Sequence, residues 1–169
     1  MRLIITTMLL FFAVFHLNAQ KCNYISNTTS GMDGTRQVIT SPYKLALSKE
    51  NGKVQVWSKL YQDSLVVLAF VVESETISTL NLLDEIELIY TDTEKENLPT
   101  MNNVIPSTGI KEKYTIYVNL PKKLQDALRE KPVQEIKFKA DNGEISFPVK
   151  KKGSGYIQQV IECTLSAIE

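Results

Sequence analysis

Beyond its first nineteen residues the chain has no histidine, and that absence removes more chemistry than any other. The single histidine, His16, lies in the apolar opening stretch. Without an imidazole, Ser-His-Asp and Cys-His mechanisms and zinc sites built on histidine are excluded from the remainder. Cysteine is equally scarce, with only Cys22 and Cys163. Two residues so far apart cannot form a cysteine-spaced metal motif. No P-loop or dinucleotide fingerprint is present, so phosphate cradles of that kind are absent. Charge of one sign is lacking too: 19 basic residues stand against 19 acidic ones. Such a balance gives no bulk electrostatic reason to bind nucleic acid.

The one long apolar run sits at the start. Met1-Arg2 supplies a basic beginning, Leu3 to Leu17 an apolar stretch, and Leu17-Asn18-Ala19 a small-residue cleavage pattern. This reads as a cleaved export leader over residues 1–19, too short for a spanning helix. Lys21 before Cys22 does not fit a lipoprotein signal. The expectation is an exported protein, periplasmic or extracellular, with one domain over residues 20–169 and no transmembrane segment in the mature chain. Loss of Arg2 leaves 18 basic against 19 acidic residues. In an exported chain the even pair Cys22 and Cys163 is first read as a disulfide closing nearly the whole domain. The alternative is two buried or idle thiols.

What is present is mostly strand. Val54, Val56, Ser58 and Leu60 alternate, and Leu65 to Val72 is a continuous apolar run; the short polar link Gln62-Asp63-Ser64 predicts that the two pair as a central antiparallel hairpin. An earlier strand near Gln37 is interrupted by Pro42. Tyr43, Leu45 and Leu47 then run to Asn51-Gly52, a strong hairpin signal. A two-residue turn there would set Leu47 against Val56 on one face, and Ala46, Trp57 and the like-charged Lys44 and Lys59 on the other. Ile86, Leu88 and Tyr90 mark another strand. Thr91 to Lys113, with Pro99, Pro106 and Gly109, reads as a long connection holding at most a short strand at Met101–Ile105, and long connections are often functional.

Tyr114, Ile116 and Val118 alternate next. Leu120, Leu124, Ala127 and Leu128 then predict a three-turn helix begun by Pro121 and ended by Lys131-Pro132. Ile136, Phe138 and Ala140 return as Ile145, Phe147 and Val149, with Pro148 favouring an edge strand. After Lys150 to Gly155, a helix capped by Ser154 presents Ile157, Val160, Ile161, Thr164, Leu165 and Ile168 on one stripe. The expected fold is α+β, with seven or eight mostly antiparallel strands, a short inserted helix and a C-terminal helix packed on the sheet.

Few residues carry candidate chemistry. Trp57, with Tyr61 on the same non-valine face, suits stacking against a sugar ring or an apolar patch. The terminal helix needs cover for its stripe, and the expectation is that it lies over Trp57. Lys137 and Lys139, followed by Lys150 to Lys152, suit an anion, although a solvated edge strand uses lysines in the same way. Asp84, Glu85 and Glu87 offer paired carboxylates for glycoside hydrolysis, or simply a solvated face. The S-x-x-K spacing of Ser41 to Lys44 lacks every companion motif of the enzymes that use it. Asp92, Glu94 and Glu96 lack the glycine and distal glutamate of a calcium loop. No catalytic residue, metal or cofactor is expected.

The cysteine-led polar start, the LLDEIELIY strand and the block NLPKKLQDALREKPVQEIKFKADNGEISFPVKKK before a terminal helix give the order of pieces a familiar look. It resembles small secreted or periplasmic proteins of uncharacterised function common in Bacteroidota. The resemblance implies an exported α+β domain and brings no activity and no functional residues. The expected function is therefore a non-enzymatic binding or interaction module of the cell envelope, with a glycan, envelope component or protein as partner. The alternative is a carboxylate-dependent hydrolase acting on a glycan.

Overall fold

A computed structural model describes residues 22–31, 34–61, 64–74, 86–107, 112–140 and 143–167. The expected leader lies outside these. Eleven strands and two helices occur among the described residues: β1 Tyr24–Thr29, β2 Arg36–Thr40, β3 Tyr43–Ser48, β4 Gly52–Tyr61, β5 Leu65–Ser74, β6 Ile86–Tyr90, β7 Lys95–Leu98, β8 Thr100–Ser107, β9 Glu112–Asn119, α1 Lys122–Glu130, β10 Val133–Ala140, β11 Gly143–Pro148 and α2 Tyr156–Ser166. The fold is thus α+β and mostly antiparallel sheet, with more strands than the seven or eight expected. The extra ones come largely from Thr91–Lys113, where β7 and β8 flank Pro99. Proline cannot donate to a ladder, so it stands between two strands rather than inside one.

The strands form two sheets. The first has the order β1-β2-β4-β5-β9-β8, with β3 also pairing with β4; the second runs β11-β10-β6-β7. Pro99 alone separates β7 in one sheet from β8 in the other, and an antiparallel bridge from Ala46 to Val149 joins them at another edge. The break at Ser41-Pro42 divides β2 from β3, and both lie beside β4, at its two ends.

The central hairpin is as the periodicity predicts: β4 and β5 pair from Lys53↔Glu73 to Tyr61↔Leu65 without a shift. The β3–β4 register is not. Ser48 pairs with Gly52, so the turn holds Lys49, Glu50 and Asn51, and a shift near Leu45 brings Tyr43 opposite Val56. The Ser48 hydroxyl closes the turn by accepting the backbone N–H groups of Glu50 and Asn51. Gly52 has φ of +92°, and a Cβ there would lie 2.1 Å from the Glu73 carbonyl oxygen. The glycine is thus required by conformation and by close approach to β5 together.

One face of the first sheet is the core. Val54, Val56, Leu60, Leu68, Phe70, Val72 and Val118 are fully buried, as are Leu88, Ile136 and Phe147 of the second sheet. Phe70 meets Phe138 edge-on at 6.3 Å, and Phe138 meets Phe147 at 5.8 Å. Each such side chain contributes roughly 1.5–3 kcal/mol by leaving water.

Toward β2 and β4 the same face is covered by α2, whose Ile157, Val160 and Ile161 are fully buried. There the Ser58 hydroxyl donates to the Val160 carbonyl at 2.7 Å. This corrects the expectation that the terminal helix lies over Trp57: the helix takes the valine face instead. The reason is area, since alternating valines and leucines offer the stripe a wider apolar partner than one indole. The helix also starts differently. Gly155 holds the cap position with no side-chain bond, while the Ser154 hydroxyl donates to the Lys151 carbonyl.

Cys22 and Cys163 form the expected disulfide, with Cα atoms 5.5 Å apart. It ties the entrance of β1 to α2, and the Tyr24 hydroxyl adds a hydrogen bond of 2.9 Å to the Cys163 carbonyl. No helix among the described residues is long and apolar enough to cross a membrane.

Candidate functional site

Strand alternation leaves the first sheet a second face, directed away from both helices and from the second sheet. Trp57 pairs with Ala69 and Ala69 with Tyr117, so these three form one row across β4, β5 and β9. Met101 of β8 extends it. The two rings meet edge to face, with centroids 5.9 Å apart at 86°. Ala69 between them is fully buried, and Val67 and Val71 on the same strand are 7% and 8% exposed. A small residue in the middle of the row gives the rings room to close over β5. The continuous apolar run in β5 is thereby explained on both sides. Its inner face meets the core, and its outer face lies under Trp57 and Tyr117, themselves only half-buried.

Polar groups frame this row. Gln55 and Thr115 flank Val71, and Lys59 and Asn119 flank Val67. The Lys59 ammonium sits 4.2 Å from the Tyr61 ring centroid, and Tyr61 is 44% exposed. Lys44 lies beside Gln55, in register across β3 and β4. At the far end Lys53 pairs with Glu73 at 2.8 Å, and Lys113 is in register with Glu73 from the other side. A cleft of about 220 Å³ opens there, lined by Leu47, Lys49, Lys53, Glu73 and Ser74.

The candidate residues divide between the sheets. Trp57 and Tyr61 share the face just described. Lys137 and Lys139 belong to β10 of the second sheet and are not brought to them. Lys137 is engaged already, contacting Glu144 at 2.8 Å and Glu87 at 3.7 Å, while Glu87 also takes Lys95 at 3.2 Å. The Glu144 contact holds the Lys137 ammonium above its usual range and the Glu144 carboxyl below its own. The outward face of this sheet is a ladder of alternating charge. Within it Glu87 is a structural anion, and Asp84 and Glu85 lie outside the described residues.

Asp92 and Glu94 both face Lys131, Asp92 at 3.6 Å and Glu94 in direct contact. The Glu94 hydrogen bond raises the Lys131 pKa. Tyr90 beside them is 2% exposed, and its hydroxyl has no hydrogen-bond partner among the described residues. Burial first, then Glu96, Asp92 and Glu94, pushes that phenol up to about 12. No group of three or more metal-ligating side chains occurs among the described residues.

Tyr117 escaped the sequence reading, whereas the alternation on either side of Asn51-Gly52 already set Lys44 and Lys59 on the Trp57 face. Tyr117 alternates with the core residues Ile116 and Val118, so its outward direction was legible. Its neighbour was not, because nothing local says that β9 pairs with β5. Compared with protein-family models, curated proteins and solved structures, the chain matches none of them.

Proposed function

We propose that this is an exported, non-enzymatic binding protein that takes a glycan on the outward face of its seven-stranded sheet. The observation that carries this reading is the Trp57–Tyr117 pair, half-buried and turned away from the core beside amide and hydroxyl groups. Aromatic faces stack on the apolar faces of sugar rings, while groups such as Gln55, Asn119 and Thr115 meet the hydroxyls around a ring. A flat, preformed strand surface holds these groups in place without ordering a loop on binding. The disulfide supports an oxidising compartment, where polysaccharides are abundant partners.

The test is a titration of Trp57 fluorescence with soluble oligosaccharides, neutral and acidic, alongside a thermal-shift measurement. Trp57 is the only tryptophan, so the signal reports this face alone. Binding is expected to change its emission and to raise the melting midpoint, since a ligand at 100 times its Kd adds about 2.7 kcal/mol. If no glycan of either kind produces both changes, the reading is wrong.

A further inference from the structure

We infer that the glycan this face takes is an acidic one, a chain of sugar rings bearing carboxylates or sulfates. The inference rests on the reading of the face as the binding surface and adds its electrostatics. Four lysines point outward with the aromatic row, Lys44, Lys53, Lys59 and Lys113. On the described outward positions of the same strands one acid, Glu73, faces with them, and it holds Lys53. The face carries a local excess of positive charge in a chain with 19 charges of each sign.

The second sheet shows what this fold does when lysines serve only solubility. There each cation has an acid across the ladder, as in the run Lys95–Glu87–Lys137–Glu144. Cross-strand pairing of opposite charges is the stabilising arrangement, and like charges side by side are not. In the first sheet, beside the half-buried rings, Lys44 instead lies opposite Gln55 and Lys59 opposite Ile39 and Val67, so neither has an acid across the ladder. Lys44 and Lys59 stand on either side of Trp57 along the strand direction. A chain of sugar rings running along the strand from the indole would meet the Lys59 ammonium, held over the Tyr61 ring, to one side and Lys44 to the other. An anionic substituent there meets charge complementarity that a neutral sugar does not use.

Single-stranded nucleic acid also combines anionic charge with stacking. It is disfavoured here, because such sites need a basic groove tracking the phosphate backbone. This face offers four ammonium groups, the one described arginine of its sheet, Arg36, shares the strand side of the inward Val38 and Thr40, and the Cys22–Cys163 disulfide points to a compartment where nucleic acid is not the resident polymer.

The experiment compares polygalacturonate oligomers with dextran oligomers of equal length on the full oxidised chain, at low and high salt. Thymidine oligomers and vesicles with and without phosphatidylglycerol serve as competitors. Polygalacturonate is expected to bind at least about tenfold tighter than dextran, and to weaken several-fold as salt screens the lysines. Lys59→Gln and Lys44→Gln, both surface changes, should each cost polygalacturonate a few-fold in affinity and leave dextran unchanged. Trp57→Phe should keep part of the binding that Trp57→Ala loses, with the melting midpoint recorded for each to exclude unfolding. Equal binding of both glycans, still dependent on Trp57, overturns the acidic assignment and leaves the binding surface standing. Preference for the thymidine oligomer or for anionic vesicles overturns it in favour of those partners. Silence with every glycan overturns both readings.

Discussion

Ser58 shows how much one residue on the inner face decides. It is fully buried where an alternating strand calls for an aliphatic side chain. Its N–H donates to the Thr40 hydroxyl at 2.9 Å, and its own hydroxyl reaches the Val160 carbonyl, to which Thr164 also donates at 2.9 Å. The group thus fixes where α2 sits along β4. Ser58→Ala strands polar atoms in a dry interface, and the expected cost is roughly 1–3 kcal/mol, measured by urea denaturation. Tyr90 is the opposite case. Its hydroxyl is buried and unpartnered among the described residues, so Tyr90→Phe should leave stability unchanged or raise it by up to about 1 kcal/mol. Its pKa, raised from 10 to about 12, also sets a pH dependence. Below pH 10 the phenol is protonated in both states. Between 10 and 12 the unfolded chain releases a proton that the folded chain keeps, so stability falls as pH rises, by on the order of 2 kcal/mol in all. An alkaline unfolding series should show this limb in the wild type and lose it in Tyr90→Phe. A limb unchanged in the variant would mean that other groups cause it.

At the scale of elements, most strands and the central hairpin were readable, while β7 and the β3–β4 register were not. Asn51-Gly52 suggested a two-residue turn, whereas the chain uses three residues because Ser48 can close the turn with its hydroxyl. Gly52 then serves as the first residue of β4 rather than as half of a turn. Replacing it by alanine should destabilise by more than about 2 kcal/mol, since positive φ and backbone overlap add. The disulfide acts on another element. β1 is an edge strand, largely exposed and held by β2 on one side only. Reduction is expected to lower stability by about 2–4 kcal/mol. Hydrogen exchange should show the loss first in Tyr24–Thr29, with β4, β5 and β9 still protected. Uniform loss across all strands would show that Cys22–Cys163 holds the whole fold rather than this edge.

For the whole molecule, the partition into two sheets was the least legible feature. It depends on β5 choosing β9 rather than β6, and on one proline, Pro99, at which the chain changes sheet. Such long-range choices follow from the complementarity of whole faces, which no local pattern encodes. That Trp57 shares a face with Lys44 and Lys59 was legible, but that the terminal helix takes the opposite face was not, and Tyr117 became a neighbour of Trp57 only through that choice. The same partition separates two uses of charge, and this can be measured. Lys137→Glu would set a fourth carboxylate among Glu87, Glu135 and Glu144, in a ladder that depends on its cation. Its denaturation midpoint should fall at low ionic strength and recover substantially near molar salt, where screening reaches about 3 Å. Lys59→Glu changes the same charge on the other sheet, flanked in register by Ile39 and Val67. Its midpoint should stay within the small range typical of surface substitutions, at any salt. Equal losses in the two variants would mean that the lysines of both sheets serve the fold, leaving no surplus charge for a ligand.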